Sequence, residues 1–211
     1  MKKIAVISIA CGIAGFSTIA NAQALQFTGM QLPNPNTGVI MVNSSTENVY
    51  MGALTFSTGS GSIVTYCADL LSPLNNSNNP YSVSIVDQSN GSGLALAAKI
   101  MGTYFDSANT PDEQQGLQLA IWEAIYDNGG TFDYAGGNMT VVSGVNATAL
   151  GFASSYYSTS YASGSAGTIE LYSSQGGGGQ DQLHIVPEPA TFAVLGLGVL
   201  GFIRRRKLNK N

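Results

Sequence analysis

The apolar positions of this chain follow two different periods. Between residues 92 and 126 they recur at helical spacing: Leu94, Ala97, Ala98, Met101 and Phe105 predict a helix over 92–105, and Gln118, Ile121, Trp122 and Ile125 mark one stripe of a second helix over 110–126. The second helix announces both of its ends. Thr110 caps the first turn, Pro111 suits the first helical position, Glu113 completes a capping box, and Asn128-Gly129-Gly130 supplies a left-handed stop. Asp112, Gly116, Glu123 and Asp127 lie on the side opposite the stripe. Gln118 shares its face with the only tryptophan, so its amide must find a buried partner, since an unpaired amide there costs about 1–3 kcal/mol.

Elsewhere the period is that of strands, in short runs of valine, isoleucine, threonine and aromatic residues broken by glycine, asparagine and proline. Strands are expected over 38–42, 49–56, 63–70 and 81–86, with a loop at 31–37, a turn at 57–62 and a polar loop at 75–80. Within 63–70, alternation puts Cys67 on one face with Ile63 and Thr65, and Val64, Tyr66 and Ala68 on the other. After the two helices, which a four-residue connection predicts to pack as a hairpin, come a turn and strand over 133–142 and a weaker helix over 146–157. Strands at 168–172 and 182–185 follow, joined by a glycine-rich turn. The expected fold is α+β: a β-rich sandwich or barrel-like domain over 23–185 with an inserted helical hairpin, flanked by an N-terminal signal peptide and a short C-terminal apolar helix.

The two ends read as addresses. Met1-Lys2-Lys3, the apolar run 4–19 and Ala20-Asn21-Ala22 have the order of a signal peptide over 1–22, to be cut by signal peptidase before Gln23. Lipidation of Cys11 is the competing reading, disfavoured by Ser8 and by the short apolar run before the cysteine. At the far end Val186, Pro187, Glu188 and Pro189 precede an apolar stretch, 190–203, and the basic cluster Arg204, Arg205, Arg206 and Lys207. As a helix that stretch spans about 21 Å against a hydrocarbon core of about 30 Å, a short transmembrane helix with its basic end held at the cytoplasmic side. This order of parts over 186–211 resembles the PEP-CTERM sorting signal of Gram-negative bacteria. The resemblance implies transient anchoring in the inner membrane, processing by an exosortase, and delivery to the cell surface or extracellular matrix.

Removing the ends changes the charge. Seven of the eight basic residues lie in them, leaving Lys99 against eleven carboxylates in the body of the chain. Such a surface repels a phosphate backbone, so no nucleic-acid partner is expected. One histidine, His184, and one remaining cysteine, Cys67, make neither a hydrolytic triad nor a zinc ligand set, and no metal or cofactor is expected. Asp127, Asn128 and Asp133 lack the spacing of a calcium loop and read as a solvated helix end. No turnover chemistry is in view, so the chain is expected not to be an enzyme. Exported as a lone thiol, Cys67 is either a buried small hydrophobe or bonded to something other than a second cysteine.

Tyr66-Cys67-Ala68-Asp69-Leu70, followed downstream by Gln118-Leu119-Ala120-Ile121-Trp122, is similar to the two motif blocks of bacterial surface thioester domains. Leu117 stands where that family usually has threonine. The resemblance implies an internal thioester between Cys67 and Gln118, with Tyr66, Ala120, Ile121 and Trp122 packed around it. It also implies a covalent adhesin whose thioester reacts with amines on a surface or matrix ligand. The alternative is a non-reactive structural component of the exopolysaccharide or biofilm matrix, with Cys67 and Gln118 as core residues.

Overall fold

The computed structural model describes residues 22–186, apart from 34–35, 75–78, 129–130, 163–166 and 177. The signal peptide, Pro187, Glu188, Pro189, the apolar run 190–203 and the basic cluster from Arg204 to Lys207 lie outside the described residues.

Nine strands and three helices are described. The strands are β1 (Gln23–Met30), β2 (Asn36–Val42), β3 (Ser45–Met51), β4 (Leu54–Thr58), β5 (Gly61–Cys67), β6 (Asn79–Ile85), β7 (Met139–Ser143), β8 (Thr168–Ser174) and β9 (Gln182–Val186). The helices are α1 (Gly93–Tyr104), α2 (Pro111–Tyr126) and α3 (Ala147–Ala162). Six strands close into an antiparallel barrel in the order β1-β4-β5-β9-β8-β6, and β3-β2-β7 form a separate antiparallel sheet. The architecture is therefore mixed α and β around a barrel. Among the described residues, no helix is long and apolar enough to cross a membrane.

The stretch expected as one strand over 49–56 is two. β3 ends at Met51 in the small sheet and β4 starts at Leu54 in the barrel. Gly52, at φ 141°, makes the break, a backbone angle that glycine adopts freely. The inward positions are odd-numbered in β3, at Val49 and Met51, and even-numbered in β4, at Leu54 and Phe56, a change of phase that the nearly continuous apolar run through Ala53 conceals. Two other expectations shift by three residues or more at one end. β5 stops at Cys67 rather than at residue 70, and α3 runs past Tyr157 to Ala162.

α2 has the predicted start. The Thr110 side chain accepts from the Glu113 N–H while Glu113 accepts from the Thr110 N–H at 2.9 Å. Its surroundings differ from the expected amphipathic helix, because Gln114 through Ala124 are all buried, including Gly116 and Glu123. Leu117, Ala120, Ile121 and Ala124 pack with α1 and with Tyr66, Ile169 and Leu183 of the barrel. Leu119 and Trp122 pack instead with Leu54, Phe56, Cys67 and Tyr172, and with Ile40, Val42 and Met139 of the small sheet. α3 closes the remaining side at Gly116, where an added Cβ would sit 2.6 Å from the Phe152 Cβ and 2.9 Å from the Ala149 carbonyl oxygen.

Candidate functional site: a buried cysteine between two glutamines

Cys67 is the last residue of β5, and its position is fixed from both sides. Its Cα partner across the ladder is Gln182, the first residue of β9. One residue on, the Ala68 N–H donates to the Asp181 carbonyl at 2.8 Å, and the chain then turns away. The turn is held by the Asp69 carboxylate, which accepts from the Leu71 N–H at 2.9 Å, and by the Tyr126 hydroxyl, which accepts from the Leu70 N–H at 2.8 Å. Inside it, the Cys67 Sγ donates to the Asp69 carbonyl at 3.1 Å and faces the Asp69 N–H at 3.4 Å.

Gln118 reaches this residue from α2. Its Oε1 accepts from the Cys67 N–H at 3.1 Å and its Nε2 donates to the Cys67 carbonyl at 2.8 Å. Both amide atoms are thus engaged with the main chain of Cys67, which answers the requirement for a buried partner. The structure brings the predicted pair together, backbone to side chain.

A second buried glutamine, Gln182, is not singled out by sequence reasoning. As direct cross-strand partners in an antiparallel pair, Cys67 and Gln182 project to the same face with Cβ atoms about 4.5–5.5 Å apart. Gln182 is fully buried and its Oε1 accepts from the Thr65 hydroxyl at 2.9 Å. Among the described residues, its Nε2 makes a single long contact, 3.4 Å, to the Gln180 carbonyl. The sequence signal that could have found it is the pairing of the terminal strand with the strand that ends in the lone cysteine. His184, across from Thr65, is occupied elsewhere: its Nδ1–H donates to the Val64 carbonyl at 2.9 Å.

The residues named around the site divide between two clusters. Tyr66, Ala120 and Ile121 pack together on the far side of β5 from the sulfur. Tyr66 is set edge-on to Phe105 with ring centres 6.2 Å apart. Trp122 lies on the Cys67 side. Its indole N–H is buried and, among the described residues, has no conventional hydrogen-bond partner, and its nearness to the Cys67 sulfur favours the thiolate. Burial dominates nonetheless and pushes the thiol up to about 12, with the carboxylates of Asp69 and Asp181 adding to the rise. Cys67 and Trp122 border a cavity of about 280 Å³ walled by residues 47–50 of β3, by 70–74 and by Gln180. Although Cys67 is only 2 % exposed, its surroundings are therefore open toward a cleft rather than sealed on all sides. Among the described residues, no group of three or more acidic, histidine or cysteine side chains is placed to hold a metal ion. Asp127 and Asp133 instead accept backbone N–H groups of the following turn, from Met139 at 2.8 Å and from Ala135 at 3.1 Å.

These features define an α+β domain built on a six-stranded barrel, with one buried cysteine held between two glutamines. Residues 186–207 match the model of the PEP-CTERM protein-sorting motif, which implies an exported protein that is transiently anchored in the membrane and processed by an exosortase. The matched segment begins at Val186, the last residue of β9. A comparison with curated proteins finds no match. Among solved structures, the N-terminal thioester domain of a surface protein from Clostridium perfringens is similar at a TM-score of 0.49 and 10% identity, covering 78% of this chain and 98% of that one.

Proposed function

We propose that this protein is an exosortase-sorted surface or matrix protein that attaches covalently to amines through an internal thioester at Cys67. The observation that supports this reading is a lone, buried cysteine with two buried glutamine side chains against it at the base of a cleft. Thioester formation joins the Cys67 Sγ to a glutamine Cδ and breaks the Cδ–Nε2 bond. The departing nitrogen takes the thiol proton and leaves as ammonia. An amine entering by the cleft then forms an amide with the same carbon and returns the sulfur as a thiol. Each molecule makes one attachment and is not regenerated, so the role is adhesion rather than enzymatic turnover.

Of the two glutamines, the geometry favours Gln182 as the acyl donor. Its side chain shares the face of the sulfur, its nitrogen is weakly held, and the Thr65 hydroxyl sits on the oxygen that becomes negative as the acyl carbon turns tetrahedral. Gln118 would then clasp the Cys67 main chain. The pairing of Cys67 with Gln118 is the second reading, supported by the two hydrogen bonds that set this amide against Cys67.

One experiment separates all of these. The mature chain is expected to be lighter than its sequence by one ammonia, and methylamine is expected to convert a single glutamine to its N-methyl amide, located by fragment mass spectrometry at Gln182. A methyl amide at Gln118 would establish the second reading. An unmodified mass, with Cys67 alkylated only after unfolding, would leave a non-reactive matrix component with Cys67 and both glutamines as core residues.

A further inference from the structure

Trp122 presents a feature that packing does not explain. Its side chain is 1 % exposed, yet among the described residues the indole N–H meets no oxygen or nitrogen acceptor, although tryptophan buried this deeply ordinarily finds one for its single donor. It borders the cleft together with Cys67 and is near enough to the sulfur to favour its negative form. The other donor at that sulfur is the Asp69 N–H at 3.4 Å. A neutral thiol gains little from two N–H groups, whereas a thiolate gains much, since hydrogen bonds to an ionised group are about twice as strong as neutral ones.

We infer that Trp122 is a reacting-site donor, its indole N–H acting with the Asp69 N–H to stabilise the Cys67 sulfur while that sulfur carries negative charge in the making and the opening of the thioester. The inference rests on the thioester reading and gives its chemistry a second set of donors, on sulfur, beside the Thr65 hydroxyl on oxygen. On opening, the amine nitrogen bonds to the acyl carbon and the C–S bond breaks with its electron pair on sulfur. The two N–H groups hold that pair. A proton lost by the attacking nitrogen then returns to the sulfur, whose thiol donates again to the Asp69 carbonyl, the bond seen at 3.1 Å. The raised thiol pKa makes this final protonation complete at neutral pH.

The chain has a single tryptophan, so its fluorescence reports this position alone. With the full-length mature protein, Trp122→Phe is expected to slow methylamine opening about tenfold, the loss of one hydrogen bond to a charged atom. In Cys67 freed by methylamine, the same substitution is expected to move the pH profile of alkylation upward, which a purely structural role would not do. Opening the wild-type thioester is expected to quench the indole emission, because a thiol replaces an acylated sulfur beside it. Wild-type opening rates and an unmoved alkylation profile in a folded Trp122→Phe protein would overturn the inference. If that variant fails to fold, unchanged wild-type emission on opening overturns it instead. Failure of the thioester reading is distinct, since the wild-type mass would then show no loss of ammonia.

Discussion

Both α2 and β9 deliver buried glutamines to the neighbourhood of Cys67, and they use them differently. The helix uses its amides to fasten main chain. Gln114 accepts from the Ala53 N–H just after the chain leaves the small sheet for the barrel, Gln115 donates to the Gly144 carbonyl at the end of β7, and Gln118 takes both peptide groups of Cys67. β9 instead sets Gln182 beside the Cys67 side chain and leaves its nitrogen loosely held. A helix presents side chains to whatever lies against it, whereas an antiparallel ladder fixes which residue stands directly opposite which. Fixing a strand end suits the first arrangement. Bringing two side chains to bonding distance suits the second.

The sharpest way to break this comparison is to remove one amide at a time. Gln182→Ala is expected to abolish both the loss of ammonia and all amine incorporation, as Cys67→Ala does, while leaving the fold intact. Gln118→Ala is expected to retain a measurable thioester but to lower stability by about 2–4 kcal/mol, because two buried peptide groups lose their partners. Intact mass and denaturant unfolding read the two effects separately. The reverse pattern, chemistry lost only with Gln118, would exchange the two roles.

A smaller effect tests how Gln182 is aimed. Thr65→Val keeps the shape of the side chain and removes the hydroxyl on the Gln182 Oε1. Removing one such donor typically costs about 10²–10³ in rate, and the lower end is expected here because the neutral amide is only partly polarised. Methylamine opening followed by mass would show it, with unfolding free energy reduced by only about 1 kcal/mol. An unchanged opening rate would mean that the Thr65 hydroxyl merely satisfies a buried oxygen.

Much of the helical half was legible in the sequence because its signals are local. Thr110, Pro111 and Glu113 fix the start of α2 within four residues, and the capping box is present as read. The alternation that places Cys67 with Thr65 holds too, with both buried beside Gln182. What was not legible is what depends on distant pairing. Gln182 stands 115 positions from Cys67, and only the closure of β9 against β5 makes them neighbours. The placement of Gly116 and Glu123 on a side opposite the apolar stripe follows from a helical wheel, which describes contrast between faces and not how many faces are covered. With α1, α3, the barrel and the small sheet all against α2, both sides are inside. The glycine was the readable trace, since a residue without Cβ in a helix centre often marks close approach. Gly116→Leu is accordingly expected to destabilise by about 1–3 kcal/mol through the clash with Phe152 and the Ala149 carbonyl, measured by thermal or denaturant unfolding.

Glu123 offers the finest test, because it asks whether the buried side of α2 carries a cost that depends on pH. Its side chain is 2 % exposed, its Oε1 accepts from the Asp133 N–H at 2.9 Å, and among the described residues its Oε2 has no partner. Burial raises its pKa from 4.5 to about 7, with Asp127 and Asp133 contributing and the Asp133 N–H opposing. Between those two values the folded chain keeps a proton that the unfolded chain releases, so stability falls as pH rises from about 4.5 to about 7 and is level above. The fall attributable to this group is on the order of 1–3 kcal/mol. Glu123→Gln keeps the acceptor for the Asp133 N–H and cannot ionise. Its melting temperature is therefore expected to drop less than that of the wild type between pH 5 and pH 8, while the rate of thioester opening stays the same. Parallel curves for the two proteins would show that Glu123 ionises in the folded state without penalty, and that this side of α2 is wetter than its burial implies.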